Sequence, residues 1–524
     1  MNTFSMRLKI KNNVTSIQNR AKSLNYTDLL SRKAINFVGK NLNTCFGLNF
    51  KKKQWLIILY PWVSRFVENC YIIFNSKGLS NSYDRNLKNY IPFDMMEFYK
   101  IIESESWNKF LSNEVKKFRQ NKDLTELDFL ELKKNHFFSI KKIFKNFLSS
   151  VCNILGLNNN ILISNVGLNL TNTLKIYWYL KKVTFIEFDN LLKQENFTLH
   201  MKFRNEYYKK FQSKNNFELF LIKNLMRYIP LNYLEHFEQM NKIIKDRNIS
   251  AKFLITAYDH VTNDYVKVFY AQNYKKIKFC SIRHGTSFLN LNYNIQNFEK
   301  EISYKYLVQN PSSPKESFLP HHLSLMKNNK ELIKNKICII FYEPKEFDHF
   351  RDGPIYKDNL KIINSVNKII ENLYNIFKKD LVIVSNRSKN FRYTKKLKKK
   401  FKDNLIDEPL VFNKYLNKSK LFIATMPYST YLQAFLKGPT ILFLNKRLWV
   451  HSKKFNLIKK EMIKNKLIFE DEVKMSKHIF NVSKNPDEWW DSKNVLKVRK
   501  KFKKLFGIEY STAKEFSFCL KKLK

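Results

Sequence analysis

Glycine is scarce in this chain, with nine among 524 residues. No P-loop, G-x-G-x-x-G or G-x-S-x-G segment occurs, which argues against kinases, dehydrogenases and serine hydrolases. There is no Gly/Ser/Pro-rich linker either, so domains must be separated by pattern and not by composition. The six cysteines (Cys45, Cys70, Cys152, Cys280, Cys338 and Cys519) never fall in a C-x-x-C spacing. Neither a zinc site nor a disulfide framework is expected, and a reducing cytosol fits best. The first residues, MNTFSMRLKIKNN, lack the apolar core of a signal peptide, so the expected location is cytoplasmic.

Acidic residues are the next shortage. Asp plus Glu number 45 against 95 Lys plus Arg, a formal net charge of +50. A nucleic-acid partner is the first thought, because counterion release rewards clustered cations. Yet only 15 of the basic residues are Arg and 80 are Lys, whereas phosphate and base readers favour the planar guanidinium fork. Lys, Asn, Ile and Phe, all with A/T-rich codons, are over-used together, so genome bias explains much of the excess. The reading that survives is a cationic surface resting on anionic lipid headgroups, as on the inner face of a membrane, or attracting anionic substrates.

Apolar residues are plentiful, at 44%, with 15% aromatic, enough for more than one packed core. The most apolar window, 55–74, contains Pro61, Arg65, Glu68 and Asn69, and is expected to be a buried amphipathic segment, not a membrane span. Helical periodicity fills 94–150. From about 160, short apolar runs alternate with helical stretches: 161–166, 183–188, 252–256, 277–282 and 304–308, then 336–342, 381–385, 420–425 and 440–445. Such runs mean parallel strands buried on both faces. The expected fold class is α/β, with two Rossmann-like domains facing a cleft and an added helical N-terminal region. The expected division is a basic extension at 1–50 and an N-terminal domain at 51–310 (helical to 150, Rossmann-like from 151). A polar linker at 310–334, a second Rossmann-like domain at 335–490 and C-terminal helices at 491–524 complete it.

Three constellations sit where such folds hold ligands, at the carboxyl ends of strands. Arg283-His284-Gly285-Thr286 follows the strand at 277–282. His284 titrates near neutrality and can take a proton from an acceptor hydroxyl, Gly285 permits close backbone approach, and Arg283 can meet an anion. A loop histidine bonded to backbone is the plainer alternative. Arg387 follows 381–385 and is placed to grip a phosphate. Thr425, Ser429 and Thr430 span the end of a strand and the start of a helix, where hydroxyls, free N–H groups and the helix dipole suit a phosphate. Ser429 or Thr430 capping that helix is the alternative. The acidic stretch 343–353 and His321-His322 show no repeated ligand spacing, so no metal site is expected. No D-x-D triplet occurs, and that motif is the usual metal–diphosphate handle of single-domain nucleotide-sugar transferases.

Taken in order, several segments resemble a bacterial family of surface-carbohydrate biosynthesis transferases, distantly similar to capsule-polysaccharide and teichoic-acid-type transferases. They are QWLIILYPWVSRF (54–66), Asp94, Trp107-Asn108, YIPLNYLEHF (228–237), Ile282-Arg283-His284-Gly285 and the block from Tyr428 to Phe502 with its paired Trp489-Trp490. The resemblance implies a fold of the two-Rossmann glycosyltransferase kind, no cofactor, a nucleotide-activated sugar donor and a glycan or glycolipid acceptor. Together with the strand-end constellations, the expected site has His284 as base or as a phosphate hydrogen-bond partner, with Arg283, Gly285, Arg387, Thr425, Ser429, Thr430 and Gln433 around the donor. Three positions depart from the family pattern. Arg283-His284-Gly285-Thr286 stands for Gln-His-Gly-Gly, Tyr428-Ser429 for Asn-Gly, and Gln433 for a glutamate. The alternatives are a non-catalytic protein of this fold held at the inner membrane, and a basic nucleic-acid-binding protein.

Overall fold

The computed structural model describes residues 17–75, 91–122, 161–168, 170–180, 183–185, 198–246, 251–283, 293–320, 335–341, 356–385, 397–406, 415, 418–445, 448–449, 451–509 and 511–523. The chain divides into two compact units, Met1–Lys134 with Leu192–Ile243, and Asn135–Leu191 with Ile244–Lys524. Residues 192–243, read from sequence as part of a Rossmann-like stretch, therefore go with the helical unit.

The first unit is built on the helices Ile17–Phe46 and Lys52–Asn75. They approach closely at Gly39, where any Cβ would run into the Trp55 ring. Lys52–Asn75 holds the apolar window and is, among the described residues, the one helix long and apolar enough to cross a membrane. It is instead a core helix, 89% of its most apolar stretch being buried inside the protein. Trp62, Phe66, Phe98, Tyr228, Tyr233 and Phe237 are each nearly or fully buried and form the aromatic body of this unit. Short polar side chains set where its helices start. Asp94 caps Met95–Ile102, Ser104 caps Glu105–Arg119 and Asn215 caps Asn216–Arg227.

The second unit carries two six-stranded sheets, parallel throughout. The first comprises β1 (Ile161–Ser164), β2 (Val183–Phe185), β3 (Phe253–Thr256), β4 (Lys278–Ile282), β5 (Lys305–Val308) and β6 (Glu316–Phe318). Its spatial order is β2-β1-β3-β4-β5-β6. The second comprises β7 (Lys336–Phe341), β8 (Leu381–Ser385), β9 (Leu405–Ile406), β10 (Ser419–Ala424), β11 (Thr440–Phe443) and β12 (Ile468–Phe469). Its order, β12-β11-β10-β7-β8-β9, is that of a dinucleotide-binding sheet. The apolar runs of β7 and β8 are buried along almost their whole length, as parallel strands covered on both faces must be. The two Rossmann-like sheets are thus present, and each of the nine apolar runs read as strands holds a strand among the described residues.

Three strands carry too little pattern to be read in advance. β9 and β12 are two residues long, and β6 is a polar edge strand within the stretch expected to be a linker. An edge strand pairs on one side only and tolerates solvent-facing residues, which hides its periodicity.

The C-terminal helices separate. Lys493–Phe506 joins the core of the second sheet through Val495, Val498, Phe502 and Phe506. Ala513–Lys521 packs on the first sheet beside Leu170–Leu180. Between them Gly507 adopts φ +64°, and a Cβ there would collide with the Gln309 carbonyl oxygen. Asn310 Nδ2 donates to Leu505 O at 2.8 Å beside it.

Candidate functional site

In a doubly wound sheet ligands bind beyond the carboxyl ends of the strands, where the order reverses. In the second sheet that point lies between β7 and β10. Thr425, the residue after β10, closes it: its backbone N–H and its hydroxyl both donate to Ile340 O of β7, at 3.3 and 3.1 Å. Thr425 is 3% exposed, so this hydroxyl is a fixed part of the sheet's rim.

The helix Ser429–Lys437 starts four residues further on. Its N-cap is Tyr428, which makes no side-chain cap, so neither Ser429 nor Thr430 caps the helix; both are already inside its first turn. The Tyr431 amide turns back to Tyr428 O at 2.9 Å. Tyr431, Leu432, Ala434 and Phe435 are buried, while Ser429, Thr430 and Gln433 are half-buried. Helical spacing puts the last three on one face, Gln433 lying four residues after Ser429 and three after Thr430. The structure therefore brings Thr425, Ser429, Thr430 and Gln433 onto one segment at the rim. Arg387 lies outside the described residues, although Ser385, which ends β8, pairs with Phe341 of β7 beside the same point.

His284 and Gly285 also lie outside the described residues. Arg283 ends the described part of β4's continuation, its N–H extending the ladder to Leu307 O at 2.9 Å. It belongs to the first sheet and the Thr425 segment to the second. Its neighbours there are Tyr306, Glu316 and Glu299; burial lowers the guanidinium below its ordinary value while these groups pull the other way.

Sequence reasoning missed the buried network next to Arg283. His260, in the short helix after β3, holds Glu299 Oε1 with Nε2 at 3.0 Å, and the Ser281 hydroxyl lies 3.4 Å from the same nitrogen. The Tyr306 hydroxyl donates to Glu299 Oε2 at 2.9 Å. Burial, then Glu299, holds the Tyr306 phenol well above its usual range, so it remains a donor. His260 Nδ1 meets no hydrogen-bond partner among the described residues. A second cluster occupies the point between β1 and β3, where Asp259 accepts from the Ser164 hydroxyl and from Asn165 Nδ2 at 3.0 Å. Asp259-His260 directly after a strand was the available signal. What it joins is supplied by Glu299 and Tyr306, some forty residues later in the chain.

The motif residues of the helical unit have structural duties. Asp94 is a helix cap, Asn108 binds the carbonyls of Ile102 and Ser104 at 2.8 Å each, and Trp107 stands edge-on to Tyr228. Glu235 forms a fully buried two-point pair with Arg204, at 2.9 and 2.6 Å. The same guanidinium donates to Arg227 O and Ile229 O. Trp490 is buried, and Trp489 packs edge-on to His478. Burial raises the thiols of Cys280 and Cys338 to about 12, which makes them inert core residues.

With this geometry in place, the model of the LIC12162 family transferases matches residues 8–516 of the chain. The chain belongs to that transferase family. This is the relationship the motifs suggested. No curated protein matches the transferase. Among solved structures, a Listeria monocytogenes protein described as a UDP-N-acetylglucosamine 2-epimerase is similar, with 11% identity and a TM-score of 0.38 over 70% of this chain and 95% of that one. A complex of S. aureus MnaA with UDP is similar too, at 11% identity and a TM-score of 0.35 over 69% and 94% of the respective chains.

Proposed function

We propose that this transferase is a metal-independent glycosyltransferase that moves a sugar, or a related alditol phosphate, from a nucleotide-activated donor to a bacterial surface glycan. The observation that carries the reading is the Thr425–Ile340 closure of the second sheet, followed at once by a helix start without a side-chain cap. A donor diphosphate there would meet the amides and hydroxyls of Ser429 and Thr430 at the positive end of the helix dipole. Arg387, next after β8 in sequence, would add a guanidinium. Gln433 would offer an amide to the donor where the family pattern has a carboxylate.

Transfer then needs a base for the acceptor hydroxyl. The acceptor oxygen attacks the donor's reacting carbon or phosphorus, its proton passes to His284, and the nucleotide leaves with the bonding electrons. Arg283, next to His284 in sequence, keeps Glu299 and Glu316 as its charged neighbours on the first sheet.

Purified protein incubated with a panel of nucleotide sugars, with and without divalent metal, tests the proposal. Donor consumption that persists in chelator and is lost in His284→Ala is the expected result. Absence of any turnover together with absence of a nucleotide-dependent rise in melting temperature would sink it, and would favour a non-catalytic role.

A further inference from the structure

The seven tryptophans are Trp55, Trp62, Trp107, Trp178, Trp449, Trp489 and Trp490, and six are buried or half-buried. Trp178 is 76% exposed. It sits on Leu170–Leu180, which buries Thr173, Ile176 and Leu180 and turns Leu174, Lys175, Trp178 and Tyr179 outward. The neighbouring helix Ala513–Lys521 repeats the arrangement. Ala513, Phe516 and Leu520 are buried, while Lys514, Phe518, Lys521 and the following Lys522 face solvent. Phe518 is 57% exposed, with the Lys522 ammonium 4.4 Å from its ring centroid.

Both helices pack through their inner residues into one core on the first sheet, with Ile163, Ile255, Cys280 and Ile282. Their outer faces therefore point away from the same side of that sheet. The result is a surface with exposed Trp, Phe and Leu among lysines.

We infer that this surface docks the protein on an anionic phospholipid bilayer, with Trp178 and Phe518 entering the headgroup region. Aromatic side chains with an apolar body favour that depth, and lysine stems can lie along it with their ammonium groups at the phosphates. Charge decides between occupants. In a twofold self-pairing the same lysines would face each other, in a chain that already carries +50. An anionic bilayer offers the opposite sign. Among the described residues of these two helices the single carboxylate on the outer face, Glu515, is engaged in the capping box with Thr512. The inference stands independently of the proposed reaction.

The test is sedimentation with vesicles of phosphatidylcholine alone or mixed with phosphatidylglycerol, read together with tryptophan emission. Binding to the mixed vesicles, with a blue shift absent in Trp178→Ser, is expected. Affinity should fall on the order of a hundredfold in Lys514→Glu/Lys521→Glu/Lys522→Glu, from roughly fivefold per lysine. Melting temperature serves as the folding control, since all four positions are exposed. Binding with no emission change and no loss in these variants would reduce the effect to the overall charge and overturn the inference. Failure to bind, or oligomerisation that Trp178→Ser abolishes, would overturn it as well.

Discussion

The Thr425 hydroxyl and amide both donate to the Ile340 carbonyl, so the end of β10 is tied to β7 where the strand order of the second sheet reverses. The bond fixes the rim from which the Ser429 helix departs, and it makes the first prediction specific.

Thr430→Ala removes a hydroxyl at that helix start without touching the buried rim, since Thr430 is half-buried and Thr425 is buried. A hydrogen bond to a charged oxygen contributes about 1.5–3 kcal/mol, so the donor KM should rise roughly tenfold or more with melting unchanged. Steady-state kinetics with the preferred nucleotide sugar checks this.

Arg204→Met leaves Glu235 as an uncompensated buried carboxylate and unpairs the carbonyls of Arg227 and Ile229. Breaking a buried pair from one side costs about 3–5 kcal/mol. Urea denaturation followed by circular dichroism should show that loss, and the double change Arg204→Met/Glu235→Leu should recover part of it.

Gly507→Ala forces a Cβ into the left-handed region and against Gln309 O. Destabilisation of more than about 1 kcal/mol is expected, because both strain and collision oppose the new side chain. Thermal denaturation checks it, with Gly47→Ala, also at positive φ but in open space, expected to cost less.

Acid sensitivity has an identifiable source. His478 lies between Phe469 and Trp489, and burial, aided by Lys466, lowers it to about 4. In the unfolded chain it titrates near 6.5. Between these values the unfolded state binds the extra proton, so stability falls as pH drops from about 6.5 towards 4. His451, held at about 3 by burial and Lys459, acts in the same direction. His478→Phe keeps the ring contacts and should flatten the pH dependence of the urea midpoint between pH 6.5 and 4.5.

Much of the second unit was legible because its signals are local. The run KICIIF can be buried on both faces only as an inner parallel strand, and Gly438-Pro439 marks the helix-to-strand turn before β11. The Thr425–Thr430 segment was legible for the same reason, as a strand end followed by a helix start. Its capping was not. Ser429 and Thr430 both have the chemistry of a cap, but the backbone places Tyr428 at that position.

The sequence by itself determined the alternation of strands and helices, the core character of 55–74 and the kinship with a transferase family, all carried by neighbouring residues. Only the tertiary structure decided what long-range pairing decides. The polar stretch at 316–318 became an edge strand because β5 lies beside it. Glu235 and Asn108, which read as family signature, became a buried ion pair and a carbonyl clamp. His260, Glu299 and Tyr306 met because β3, β4 and β5 run parallel and bring residues far apart in the chain to one end of a sheet.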